Sequence, residues 1–238
     1  MTNNNPIIAA LDVPDAQQAI KLSMDLAPVV GAVKIGGQLF TGSGPDIVRT
    51  MRQTGAAVFL DLKFHDIPNT VAKAVTEATK LDVQMLTVHT SGGPAMLAAA
   101  EEAAQETARS MGTPPPLVLG VTVLTSMDKP QLEAVGVDAE IEQQVERLAI
   151  MACKSGIRGL VCSPLELPAL RKILPKDFQL VTPGIRAATD AMGDQKRTLS
   201  APQAIAAGAS WLVVGRPIYA SDNPVESAQS IFNSISAE

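Results

Sequence analysis

Aromatic residues make up only 3% of this 238-residue chain, with a single tryptophan and a single tyrosine, so the interior has to be built from aliphatic side chains. Cysteine is scarcer still. Cys153 and Cys162 are the only two, too few for a disulfide framework and without the spacing of a zinc site, so both are expected as reduced core thiols. Positive charge is not in excess: 19 lysines and arginines stand against 24 aspartates and glutamates, a net charge of −5. That balance argues against a nucleic-acid or anionic-membrane surface, which usually recruits a basic face. No run approaches the ~20 apolar residues of a membrane span, and Met1 to Pro6 is polar, unlike a signal peptide. The absences point to a cytoplasmic protein with neither membrane nor nucleic acid as partner.

What is abundant is Ala, Val, Leu and Ile, within a chain that is 46% hydrophobic. These residues gather in eight short runs: Ile7 to Leu11, Ala32 to Ile35, Ala57 to Leu62, Met85 to Val88, Leu117 to Leu124, Leu160 to Cys162, Leu180 to Val181 and Trp211 to Val214. Continuous apolar runs of this length are the pattern of parallel strands covered on both faces. Between them lie helical patterns, clearest in Val71, Ala74, Val75, Ala78 and in Ile141, Val145, Leu148, Ala149, Ala152, each at the spacing of one helix face. Asp15 is placed to start the first helix, Pro68 and Pro164 fit first-turn positions, and Pro224 opens a last helix carrying Val225, Ala228, Phe232 and Ile235. Eight such units predict an α/β fold, a (β/α)8 TIM barrel in which residues 1–238 form a single domain. An open doubly wound sheet is the alternative, but Asp12-Val13-Pro14-Asp15 is not the glycine-rich turn expected after its first strand. The long polar stretch from Arg186 to Ser200 reads as a mobile lid. Met24, Met51, Met85, Met96 and Met151 read as core filler.

A barrel builds its site where the strands end, so the polar residue closing each run is the informative one. Asp12 follows the first run, Lys34 lies in the second, Asp61 and Lys63 are in the third with Asp66 just beyond, and His89 closes the fourth. Thr125-Ser126, Ser163, Gly184-Ile185-Arg186 and Gly215-Arg216 close the rest. Asp61 and Lys63, two apart, should project to the same side of a strand, with Lys34 approaching from the next. At ~4 Å such a pair interacts by ~1 kcal/mol in water and ~4 kcal/mol at an effective dielectric of 20, so the array is strong only where partly dehydrated. A fixed ammonium among carboxylates suits a reaction that develops a carbanion, which Lys63 would stabilise and protonate. A Schiff-base lysine and a purely structural ion pair remain open on these residues. Gly215-Arg216, with Pro183-Gly184-Ile185-Arg186 before it, stands where barrels commonly hold a phosphate. His65 and His89 lack the ligand set of a metal site, and His65 is expected to make supporting hydrogen bonds.

Asp61-Leu62-Lys63-Phe64-His65-Asp66-Ile67-Pro68-Asn69-Thr70 resembles the Asp-x-Lys-x-x-Asp signature of the orotidine 5′-monophosphate decarboxylase family with its Ile-Pro-Asn-Thr continuation. Leu11-Asp12, Val33-Lys34-Ile35-Gly36, Val123-Leu124-Thr125-Ser126, Thr182 to Arg186, Gly193-Asp194-Gln195 and Val214 to Ile218 match in order along almost the whole chain. The resemblance implies conversion of orotidine 5′-monophosphate to UMP and carbon dioxide, the last step of de novo UMP synthesis, with no metal and no organic cofactor. It implies Lys63 as the proton donor to C6 and Asp61 beside the departing carboxylate, with Lys34 and Asp66 completing a charged tetrad. It further implies a homodimer with shared active sites, in which Asp66, Ile67 and Thr70 reach into the neighbouring subunit. Asp12 and Lys34 would contact the ribose, and Thr125 or Ser126 the pyrimidine edge. Gln195, Gly215 and Arg216 would hold the phosphate, with Arg186 at the root of the closing loop. A metal-assisted sugar-phosphate decarboxylase or aldolase of the same barrel group, and a catalytically silent nucleotide-binding protein, are the competing readings.

Overall fold

In the computed structural model, which describes residues 5–185 and 198–236, all eight apolar runs become strands. They are β1 (Ile7–Ala10), β2 (Ala32–Gly36), β3 (Val58–Phe64), β4 (Met85–His89), β5 (Leu117–Val121), β6 (Gly159–Val161), β7 (Gln179–Thr182) and β8 (Trp211–Val214). They pair in parallel and in sequence order, and β8 closes on β1, giving the eight-stranded barrel the pattern predicted. Eleven α-helices are described: α1 (Ala16–Leu26), α2 (Gly37–Ser43), α3 (Asp46–Gln53), α4 (Pro68–Lys80), α5 (Gly93–Met111), α6 (Lys129–Ala134), α7 (Ile141–Lys154), α8 (Leu167–Ile173), α9 (Ala201–Ala206), α10 (Arg216–Tyr219) and α11 (Pro224–Ser236).

Local chemistry sets where the helices begin. The Asp15 carboxylate accepts from the N–H groups of Gln17 and Gln18 at 3.3 and 2.9 Å, relieving two donors that the first turn of α1 leaves unpaired. Pro68 occupies the first turn of α4, where its missing N–H costs nothing. The same helix buries Val71, Val75 and Ala78 against the barrel; each such valine stabilises the fold by roughly 1.5–3 kcal/mol.

Side-chain alternation splits the apolar residues into two cores. Along β1, Ile7 and Ala9 point out to the helices, and Ile8 and Ala10 point in. The inner core also contains Ala32, Phe59, Met85, Leu119, Val181 and Val213. It fills the lower part of the barrel and leaves the upper part to whatever follows these residues at a spacing of two.

Three expectations need correction. β5 ends at Val121 rather than Leu124, because β6 beside it has only three residues and its last pair is Val121 with Val161. Beyond that point there is no ladder to join. β3 runs past Leu62 to Phe64, but through a break in register. Met24 is 60% exposed: α1 buries Ala19, Leu22, Ser23 and Leu26, and Met24 falls on the opposite face. Met51, Met85 and Met96 are fully buried as expected.

Candidate active site

The spacing of two carries the inner face upward from apolar to polar residues. Ala10 is followed by Asp12, Ala32 by Lys34, Phe59 by Asp61 and Met85 by Thr87. Register places these ends side by side, since Ala10 pairs with Lys34, Lys34 with Phe59 and Gly36 with Asp61. The Lys34 ammonium donates to Asp12 Oδ1 at 2.9 Å and lies 3.9 Å from Asp61 Oδ2. Lys63 Nζ donates to both Asp61 oxygens, at 2.8 and 2.9 Å. Asp61 thus lies between two ammonium groups, and its side chain is only 15% exposed. A methyl group on Gly36 would lie 3.2 Å from Lys34 Nζ and 3.4 Å from Asp12 Oδ1, so a side chain there would crowd this pair.

Asp61 and Lys63 meet, but not by the simple alternation expected of them. Between the pairs Leu60–Leu86 and Phe64–Val88, three residues of β3 face the single residue Thr87 of β4. Lys63 takes a left-handed backbone conformation, φ 52°, which is uncommon for a residue with a Cβ and costs of order 1–2 kcal/mol. Its N–H donates to Thr87 Oγ1 at 2.8 Å, and Thr87 donates to Asp61 Oδ1 at 3.0 Å.

These groups line one side of a cavity of about 520 Å³, within the range of small-molecule sites. Phe59 forms part of its floor, and Val121, Val161 and Val213 line the far wall with Val123 and Leu124 from the loop after β5. Thr125 lines the cavity and Ser126 does not. Pro183, Gly184 and Ile185 complete one rim, with Gly184 at φ 82°, a conformation that favours glycine. Gly215, Arg216 and Tyr219 stand beside it. Arg216 is solvent-exposed, and among the described residues it forms no ion pair. Arg186 and Gln195, and with them most of the expected lid, lie outside the described residues.

Asp66, Ile67 and Thr70 are not among the residues lining this cavity. They are exposed, Ile67 at 66%, and Asp66 caps its own neighbour by accepting from Ile67 N–H at 2.6 Å. The two histidines meet ring to ring, centroids 5.4 Å apart. Burial, then the like charges of His65 and Lys63, hold the His89 imidazole below its ordinary range against an opposing pull from Asp61. Ser163 serves the fold instead, since its side chain and that of Glu166 form the cap of the turn after β6. Both cysteines are free thiols, and burial pushes the Cys162 thiol strongly up, which makes it a poor nucleophile.

The family model described as "Orotidine 5'-phosphate decarboxylase / HUMPS family" matches residues 5–231. The chain belongs to this family. Among curated relatives, the orotidine 5′-phosphate decarboxylase of Syntrophotalea carbinolica is 49% identical over 97% of this chain and 95% of its own length. That of Moorella thermoacetica is 46% identical over 97% of this chain and 92% of its own. Among solved structures, orotidine 5′-phosphate decarboxylase from Lactobacillus acidophilus superimposes with a TM-score of 0.86 at 36% identity, covering 98% of this chain and all of that one. Reading the ends of the apolar runs in this family member missed Phe59 and Tyr219, which line the cavity, and Thr87, which is buried and bonded to Lys63 and Asp61. Counting two back from His89 puts Thr87 on the inner face of β4, but its role depends on the register break opposite it. Tyr219, the only tyrosine, lies beyond the strand end and had no such signal.

Proposed function

We propose that this chain is an orotidine 5′-monophosphate decarboxylase that makes UMP and carbon dioxide at the last step of pyrimidine nucleotide synthesis. The observation that carries the reading is the Lys34–Asp61–Lys63 array at one side of a cavity whose rim bears Gly215 and Arg216, in a chain whose curated relatives bear that enzyme's name.

In this reading the phosphate binds at Gly215 and Arg216, joined by Gln195 and Arg186. The ribose lies against Asp12 and Lys34, and the pyrimidine edge meets Thr125 or Ser126; Thr125, which lines the cavity, is the better placed. The bond from C6 to the carboxylate breaks, carbon dioxide leaves, and the electron pair stays on C6. Lys63 Nζ stabilises that charge and transfers its proton to C6, then regains one from solvent. Fixed charges aimed at the developing carbanion need no reorganisation during the reaction. Asp61 holds Lys63 in place and adjoins the departing carboxylate. Binding energy from the phosphate, which does not react, contributes to the transition state when it closes the site.

The exposure of Asp66, Ile67 and Thr70 supports a homodimer in which these residues complete the partner's cavity. Asp66 then finishes the tetrad in trans. We assign the enzyme to the cytoplasm, with residues 1–238 acting as one domain. The test is conversion of orotidine 5′-monophosphate to UMP by purified protein in excess EDTA. Conversion supports the reading; activity only with an added divalent ion would transfer the assignment to a metal-assisted sugar-phosphate enzyme.

A further inference from the structure

The bulge in β3 exposes a problem that one side chain solves. Where Asp61, Leu62 and Lys63 face Thr87 alone, the Lys63 N–H is lifted out of the ladder and loses its natural carbonyl partner on β4. A buried N–H without a partner is costly, of order 1–3 kcal/mol. Thr87, fully buried, supplies an oxygen at 2.8 Å.

The polarity of this contact is fixed by chemistry. A backbone N–H can only donate, so Thr87 Oγ1 accepts, and its single proton is free to go elsewhere. It goes to Asp61 Oδ1, 3.0 Å away. That same oxygen accepts from Lys63 Nζ at 2.8 Å. A closed ring results, running from the Lys63 backbone through Thr87 and Asp61 to the Lys63 ammonium. The ring ties both ends of one long side chain to a single carboxylate. A lysine otherwise has ~2 kcal/mol of rotamer freedom to lose.

We propose that Thr87 is a positioning residue for the reaction: its hydroxyl sets the left-handed turn at Lys63 and the orientation of the Asp61 carboxylate together, and thereby aims the ammonium into the cavity. The inference rests on the functional reading above for its effect on turnover. A hydroxyl that only satisfied a stray N–H would affect stability and leave the chemistry alone. One that aims the ammonium affects kcat and leaves substrate capture alone, because the residues assigned to the phosphate and ribose lie on other strands and loops.

Three measurements on wild type, Thr87→Val and Thr87→Ser separate these cases. Thr87→Val keeps the branched shape and removes the hydroxyl. Its kcat should fall about 10- to 100-fold, the equivalent of one hydrogen bond to a charged group, with KM changed by less than about threefold. Thr87→Ser keeps the hydroxyl and should restore kcat to within about threefold of wild type. Amide hydrogen exchange at Lys63, which needs no turnover, should be faster in Thr87→Val and near wild type in Thr87→Ser. Should Thr87→Val not fold, Thr87→Ala carries the same comparison. Wild-type kcat in the hydroxyl-free variant, a loss confined to KM, or a Thr87→Ser as impaired as Thr87→Val would overturn the proposal. Wild type inactive on orotidine 5′-monophosphate would instead overturn the functional reading, and Lys63 exchange would still decide whether Thr87 holds the turn.

Discussion

Strands β1 to β4 and strands β5 to β8 start from the same aliphatic alphabet and finish differently. On the first half, the inner face passes from Ile8, Ala10, Ala32, Phe59 and Met85 to Asp12, Lys34, Asp61 and Thr87. On the second half it stays apolar to the rim, through Val121, Val161 and Val213, and ends in Gly215 and Arg216. Charges inside a barrel need one another, because a lone buried charge pays a large desolvation cost. They therefore gather on neighbouring strands, where Lys34 meets Asp12 at 2.9 Å and Lys63 meets Asp61 at 2.8 Å. The opposite half is left free to present aliphatic surface up to a rim that bears Gly215 and Arg216. Under the proposed function, the division gives bond chemistry to the first half and capture to the second.

The comparison breaks most visibly at Asp61. In Asp61→Ala the Lys34 and Lys63 ammonium groups lose the carboxylate between them. Lys63 loses two charge-assisted hydrogen bonds that aim its ammonium, each worth about 1.5–3 kcal/mol, so turnover should drop by roughly 10²- to 10⁴-fold, read as kcat in a direct absorbance assay. Retention of most activity would mean that the array does not organise the reaction. Next is the proposed shared site. Lys63→Ala and Asp66→Asn dimers should each be nearly inactive, and random mixing of subunits should recover about a quarter of wild-type activity, since half the dimers then carry one complete site of two. No recovery on mixing would place Asp66 outside the partner's cavity.

A smaller effect is expected in the apolar half. Val161→Ala removes two methyl carbons from the cavity wall, worth up to about 1.5 kcal/mol, so KM should rise up to about tenfold with kcat kept. A fall in kcat alone would blur the division between the halves. The smallest effect concerns His89, whose imidazole is held below its ordinary value of 6.5 by burial first. Its neutral form then contributes stability that is fully present above that value and is lost as pH falls below it. His89→Asn should flatten the acid side of the stability curve in urea titrations below pH 6.5. An unchanged slope would show that His89 does not couple protonation to folding.

Much of the architecture was legible because a parallel barrel writes each strand as an unbroken apolar run, and eight such runs became eight strands. Lys34, Asp61 and Lys63 were legible for the complementary reason that charges in or at the end of such a run stand out against it, although the residues alone left a structural ion pair open. Three features were not. The end of β5 depended on the length of β6, a neighbour's property that β5 does not encode. The left-handed turn at Lys63 depended on a register break that a spacing of two cannot reveal. Thr87, a β-branched residue in a strand, looks ordinary until the bulge opposite it is known. Ile67 and Thr70 were singled out by resemblance alone, and Asp66 also by its place just beyond the third run; all three are exposed.

The most direct test of the division of labour is to measure kcat and KM for Lys63→Ala and Arg216→Ala beside wild type in one buffer. The account predicts that Lys63→Ala nearly abolishes kcat in a folded protein, by ~10²-fold or more for loss of a general acid. It predicts that Arg216→Ala mainly raises KM, by about 10- to 100-fold for loss of a charge-assisted contact. Equal and small losses in both variants would contradict it.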